Sequence, residues 1–297
     1  TADAPYATLA KAAEAAPDGA TIYVMSDVEM NQMAWVWEKE LTITSYGVDP
    51  VTLSRGENFH TNADPARQHY NPAMIEVGGE TEQGTVSSLI LTHIILDDMG
   101  KYEGEYFVQA DSEGDGETTV SRSEVPNTSI VQDAIIATYN GMGTITLGDG
   151  AELRNYGGMS AVRLSGGELI MEEGSAILDT TENEREKGAS GSFGPAGAVW
   201  LQGGILTMNG GTIGGDKGVM MNGRALYADG GTANIGGTIQ NIHGTDAAWQ
   251  GQNGVAVHLR SHGEATLAST GEITNVTGTN AGNNCAIWTQ FCNFTTK

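Results

Sequence analysis

The chain has few positive charges, almost no cysteine and no long apolar run. Against 37 acidic side chains it sets only 14 lysines and arginines in 297 residues, a formal charge of −23. A surface of that sign repels phosphate backbones and anionic lipid heads, so nucleic acid and membrane surfaces are excluded as partners while hydrated cations are favoured. The longest apolar candidate, Ser88 to Leu96, is broken by Thr92 and His93 and falls short of the ~20 residues of a membrane span. No direct membrane insertion is expected. Helical periodicity is missing after the first twenty residues. Also missing are a serine nucleophile elbow, a phosphate loop and an HExxH pair. His258 and His262 are four apart, but on a strand and its turn that spacing does not bring two ring nitrogens together, which excludes a zinc site there.

What the chain has instead is glycine, 42 residues of it, at twice the usual ~7 %. With 39 % apolar content and no Gly-X-Y period, that excess signals frequent turning around a packed core. Thr8 is placed to cap a helix over Leu9 to Ala16, with Leu9, Ala12, Ala13 and Ala16 on one side, and Pro17-Asp18-Gly19 ends it. From Thr21 the pattern becomes short alternating runs broken by Gly-Gly, Gly-Asp-Gly or Asn-Gly. Strand-like starts recur at Ala134, Ala161, Ala198, Ala225, Ala256 and Ala286, spaced by 27, 37, 27, 31 and 30 residues. Second strands begin at Leu169, Leu206, Ala233 and Ala265, and third strands at Ile177, Ile213, Ile239 and Ile273. Thr21 to Val28, Leu41 to Leu53, Ala73 to Val77 and Leu89 to Leu96 follow the same habit. Three short strands per repeat, varying in length mostly after the third, describe a chain wound into a coil.

The three-strand coils, the glycine-rich corners and the alanine-rich helix ahead of the run Asp18-Gly-Ala-Thr-Ile-Tyr-Val resemble the right-handed parallel β-helix of bacterial surface proteins, related in architecture to pectate lyases. The resemblance is to an architecture and implies little about function. It implies an all-β, three-sheet solenoid: a helical cap over 1–20, one β-helix domain over 21–297, and long loops near 55–72 and 97–127. Stacked coils ~4.8 Å apart pair every strand, and the helix blunts one open edge.

Side chains alternate across a strand, so each repeat start sorts into two faces. Val162, Val199, Leu226, Val257 and Ile287 point inward with Leu164, Leu201, Ala228, Leu259 and Thr289. Arg163, Trp200, Tyr227, His258 and Trp288 then point outward, followed two residues on by Ser165, Gln202, Asp229, Arg260 and Gln290. Loops 181–197, 215–224, 243–254 and 277–284 all enter this sheet from one edge and either wall a groove or fold over the rings. Rows of Trp, Tyr, Arg and Gln suit the apolar face and hydroxyls of a sugar, and equally a protein partner. Trp35 and Trp37 share one face near the other end, where stacking between coils accounts for them.

Asp111, Glu113, Asp115 and Glu117 alternate like the first half of a calcium loop, but Arg122 stands where a bidentate Glu belongs, with Glu124 two further on. Either a looser Ca2+ site or a solvated acidic loop results; no other cofactor is expected. Cys285 and Cys292 read as a disulfide pinning the last coil or as two buried thiols. A glycosidase needs two carboxyl groups ~5–10 Å apart, and Asp229 with Asp246 is the one pairing the sequence offers. The expectation is therefore an extracellular bacterial binding or adhesion module, monomeric as a fragment, that recognises a glycan or a host protein through an exposed aromatic stripe formed by Arg163, Trp200, Gln202, Tyr227, Asp229, His258, Arg260 and Trp288. A carbohydrate-active enzyme (polysaccharide lyase or glycoside hydrolase) in the same groove and a structural stalk are the alternatives.

Overall fold

Thr8 opens helix α1 (Leu9–Ala15), its hydroxyl accepting from the Lys11 amide at 3.3 Å. The computed structural model describes residues 5–60, 73–78, 87–100, 106–109, 120–123, 134–138, 143–158, 160–181, 197–244, 255–278, 285–290 and 293–296. The helix ends one residue earlier than expected because Ala16 is already extended. Leu9 and Ala13 are its buried residues, while Ala12 and Ala16 are less covered. Lys39 completes the other end: its ammonium donates to the carbonyls of Ala13 at 3.0 Å and Ala16 at 2.9 Å, groups that a helix terminus otherwise leaves without partners.

Every later element among the described residues is a strand. The first coil is β1 (Ala20–Val24), β2 (Val28–Gln32) and β3 (Ala34–Val36); the second is β4 (Glu40–Ser45), β5 (Thr52–His60) and β6 (Ala73–Val77). The third has β7 (Ser87–Thr92) and β8 (Ile94–Asp97), an antiparallel hairpin of β9 (Tyr106–Gln109) and β10 (Val120–Ser123), and then β11 (Ala134–Thr138). Next come β12 (Gly143–Leu147), β13 (Ala151–Arg154) and β14 (Ser160–Leu164), followed by β15 (Glu168–Met171), β16 (Ala176–Asp179) and β17 (Val199–Leu201). The sixth coil has β18 (Ile205–Met208), β19 (Thr212–Gly215) and the short β20 (Met221–Asn222). There β21 (Leu226–Ile235) and later β23 (Val255–Ser269) each run through a corner into the following coil, with β22 (Thr238–Gly244) between them. The last elements are β24 (Glu272–Gly278), β25 (Cys285–Gln290) and β26 (Asn293–Thr296).

Equivalent strands of successive coils pair in parallel, giving three faces. Face 1 starts with β1 and β4, face 2 with β2 and β5, and face 3 with β3 and β6. Faces 1 and 3 form one fifteen-stranded sheet, joined through β21 and β23, and face 2 belongs to a nine-stranded sheet. This is the parallel β-helix that the repeat pattern predicts. Inside it, Leu41, Leu89, Ile145, Leu169, Leu206 and Ala233 stack in register and are all fully buried, each large side chain contributing about 1.5–3 kcal/mol. At the corner between faces 3 and 1, Gly167, Gly204 and Gly231 form a column with φ of 76°, 90° and 89°. A Cβ on Gly204 would lie 2.7 Å from the Gly167 carbonyl oxygen, and one on Gly231 2.4 Å from that of Gly204.

The exit from face 2 is polar instead. Asn155, Asn241 and Asn275 turn there in the left-handed region, φ 49° to 53°, which Asn tolerates because its short amide bonds locally. The Asn275 amide donates to the Asn241 side-chain oxygen at 2.7 Å, and Asn241 donates to the Gly215 carbonyl at 2.9 Å.

Several expectations shift. Arg55 to His60, expected in a polar excursion, lie in β5 instead: the strand accommodates Arg55 because Asp98, one coil on, forms a buried ion pair with it, while Phe59 lies 4.5 Å under its guanidinium; 61–72 lie outside the described residues. The 97–127 segment is not all loop, since β8 ends on Asp97 and the hairpin β9–β10 occupies part of it. Ala134 pairs with Ser160 rather than Ala161, and Ala233 with Leu267 rather than Ala265. At the first place Ser160 and Ala161 are both small, so composition did not distinguish the register; at the second, β23 carries three more residues than β21 through the corner, Asp229 and Gly231 pairing with Arg260 and Ala265.

Candidate functional site

Face 3 carries a continuous outward row, one residue per coil: Trp35, Glu76, Ala137, Arg163, Trp200, Tyr227, His258 and Trp288. Its last five members are the outward residues read from the sequence. The rings touch along the row. Trp200 and Tyr227 have centroids 6.4 Å apart, Tyr227 and His258 5.1 Å, and His258 and Trp288 6.0 Å. Such tilted and edge-on contacts each add about 0.5–1.5 kcal/mol beyond burial, so the row is a rigid platform. At the far end Trp35 and Trp37 stack on each other at 5.8 Å and 23°.

The row is not uniformly open, and the expectation of an exposed stripe is corrected on this point. Arg163, Trp200 and His258 are buried at 6 %, 5 % and 2 % exposure. Tyr227, Asp229 and Trp288 are half-buried, and Gln202 is exposed. Solvent therefore reaches the platform along a rim one step further down the strands. Arg260 continues this rim by register opposite Asp229, its side chain lying outside the described residues. Asp246 also lies outside them, so the Asp229–Asp246 pairing has no geometry here. The same holds for Asp111, Glu113, Asp115 and Glu117, for Cys292 and for the side chain of Cys285. Among the described residues no group of three or more His, Cys, Asp or Glu is arranged to hold a metal ion, and no helix is long and apolar enough to cross a membrane.

Arg163 dominates the electrostatics. Its Nε donates to the Gln202 side-chain oxygen at 2.8 Å and its guanidinium sits 4.7 Å from the Trp200 ring centre. Loss of water pushes its pKa down to about 10. The buried Nη1 has no hydrogen-bond partner among the described residues, nor has the Trp200 indole N–H. Arg224 lies 5.5 Å from the Tyr227 ring centre and is also pushed down by burial, partly offset by Tyr227 and Tyr156.

Sequence reasoning missed Glu76 and Ala137 as row members. The signal was present, since Glu76 is the one charged residue in an otherwise apolar β6, and it is completely buried. A second exposed region lies on the turn between faces 1 and 2. Tyr23 and Tyr46 meet edge-on at 6.0 Å and are 58 % and 66 % exposed, next to Met25 and Val48 at 59 % and 92 %. Comparison with protein families, curated proteins and solved structures finds no match. The chemistry of the site rests on its own residues: stacking, hydrogen bonding through an amide and a carboxylate, and one buried cation.

Proposed function

We propose that this chain is an extracellular bacterial surface module that binds a glycan along the rim of the face-3 platform. The observation that carries the reading is the ordered ring row with part-open members, Tyr227 and Trp288, flanked by exposed Gln202 and half-buried Asp229. A sugar ring stacks on such an aromatic edge while amide and carboxylate bond its hydroxyls. Rigid rings held by their neighbours lose little entropy on binding. The test is a glycan array probed with wild type and with Tyr227→Ala/Trp288→Ala. Loss of the wild-type signals in the double variant supports the rim, and unchanged signals exclude it.

A protein partner is the second reading, and the Tyr23–Tyr46 patch favours it. Exposed aromatics beside Met25 and Val48 have the composition of an interface core. A host-protein array on which only Tyr23→Ser/Tyr46→Ser loses signal selects this reading.

A further inference from the structure

We propose that the corner between faces 1 and 2 docks a basic segment of another protein, with an apolar side chain seated at Tyr23 and Tyr46 and lysine or arginine side chains laid along the carboxylates of the following turns. This inference rests on the protein-partner reading of that patch. Seven large apolar side chains are exposed among the described residues, and four of them, Tyr23, Met25, Tyr46 and Val48, stand on two adjacent turns. Apolar surface gathered in this way marks an interaction site. Both turns are pinned by hydrogen bonds. The Tyr46 amide donates to the Val24 carbonyl at 2.9 Å, the Val51 amide to the Ser45 hydroxyl at 2.8 Å and the Thr52 amide to Asp27 Oδ1 at 2.8 Å. Tyr23 and Tyr46 meet at 89° and are both more than half exposed, so ring surface stays open to an apolar group or a guanidinium. A surface fixed beforehand loses little freedom on binding.

Charge chooses the occupant. Asp27 stands two residues from Met25 and Asp49 adjoins Val48, and both acids are exposed. Backbone bonds carry the same corner on from coil to coil: the Ser45 amide donates to the His93 carbonyl at 3.3 Å, the His93 amide to the Asp149 carbonyl at 2.9 Å and the Gly150 amide to the Gly174 carbonyl at 3.2 Å. Asp149 and Glu173 are exposed there, and half-buried Glu172 accepts from the Asn209 side-chain amide at 2.9 Å. None of these five carboxylates forms an ion pair with a described residue. Residues 25–27, 46–51, 93, 148–150 and 172–175 include no lysine or arginine, and His93 is their one imidazole. A second copy of this chain would bring the same acids to the contact, and the formal charge of −23 adds to that repulsion. A basic segment meets opposite charge instead. From the Tyr46 turn to the Glu173 turn is three coils, roughly 14 Å, the span of about four or five extended residues. The apolar side chain therefore sits at the Tyr23 end and the cations run toward Glu173.

The experiment is fluorescence anisotropy with the whole chain at about 0.15 M salt, where exposed charges more than ~8 Å apart are largely screened. Three labelled peptides are compared: tryptophan followed by a run of arginines, the same with glycine for the tryptophan, and the same with glutamates for the arginines. Wild type is expected to bind the first about tenfold or more tightly than either of the others, a factor worth ~1.4 kcal/mol. Tyr23→Ser/Tyr46→Ser is expected to remove the advantage over the glycine peptide. Asp49→Asn/Asp149→Asn is expected to weaken the first peptide about fivefold, whereas Glu14→Gln/Glu272→Gln, the same charge change on α1 and β24, leaves it within about twofold. Equal binding of the tryptophan and glycine peptides, or equal loss in the two carboxylate variants, means that arginines settle anywhere on an acidic surface and overturns the inference. So does failure of all three peptides, or a glutamate peptide that binds as tightly as the first; the protein-partner reading is then decided by the host-protein array alone. Glycan-array signals that vanish in Tyr23→Ser/Tyr46→Ser give the patch to a sugar and overturn both. The comparison of peptides on wild type needs no variant, so misfolding of a variant does not blunt the test.

Discussion

Arg55 and Asp98 face each other from adjacent coils as a buried ion pair, 5 % and 0 % exposed at their side chains. Asp98 also accepts the Gly157 amide at 2.7 Å, and Arg55 reaches the Ala134 carbonyl at 3.3 Å. The pair therefore ties the second, third and fourth coils together at one corner. Asp98→Ala leaves a buried guanidinium without this carboxylate and is expected to destabilise by about 3–5 kcal/mol. Urea unfolding measures this, and a loss under about 1 kcal/mol contradicts it.

Arg163 should behave in the opposite way. Removing a buried cation that meets no carboxylate among the described residues relieves a cost, so Arg163→Met is expected to hold or raise stability, by up to about 4 kcal/mol. The pH dependence follows from a pKa lowered to about 10. Because the folded-state value lies below the unfolded one, the unfolded chain binds more protons above about pH 10, and wild-type stability gains there. The advantage of the variant is thus constant up to about pH 9 and narrows as pH rises through about 10. Denaturant midpoints at a series of values from about pH 8 to about pH 10.5 test both parts.

The column of corner glycines separates steric cost from conformational cost. Gly204→Ala drives a methyl to 2.7 Å from the Gly167 carbonyl oxygen at φ 90°, so roughly 3 kcal/mol or more is lost. Gly19 has φ 73° and open space, with nothing within 4 Å of the point a Cβ would occupy, so Gly19→Ala should cost only about 1–2 kcal/mol. Equal losses in thermal unfolding contradict this assignment.

Lys39 closes the carboxyl end of α1 from another coil. Lys39→Met keeps the apolar stem and removes the donors, at an expected cost of about 1 kcal/mol or somewhat more. Hydrogen exchange at Leu9–Ala15 should quicken while exchange in β12 to β18 stays unchanged. Uniform quickening would mean that the helix holds the whole solenoid.

The winding of the chain was legible because its three strands alternate inward Leu, Ile and Val with outward polar residues, and because Ile177, Ile213, Ile239 and Ile273 recur at one position. Those isoleucines do pair in register. The outward sorting of Arg163, Trp200, Tyr227, His258 and Trp288 followed from the same period of two. Their burial was not legible, because alternation identifies a face and not what lies over it. Lys39 and Asp98 were hidden for a related reason: each bonds a residue at least 23 positions away, and local pattern carries no information at that range. Arg55 misled because a charged residue in a polar run looks like loop until its partner on the next coil is known.

The corner of stacked glycines and the polar exit from face 2 divide the labour of the chain unequally. At Gly167, Gly204 and Gly231, between faces 3 and 1, a Cβ would run into the backbone of the neighbouring coil. Between faces 2 and 3 the connection ranges from the single residue Met33 to the stretch from Asp98 to 133, with the register of the coils kept on either side. Length can therefore drift on that edge while the strands on either side keep their register. The solenoid works as a spindle: this seam takes up very different lengths of chain from coil to coil, and it borders the face that carries the rings.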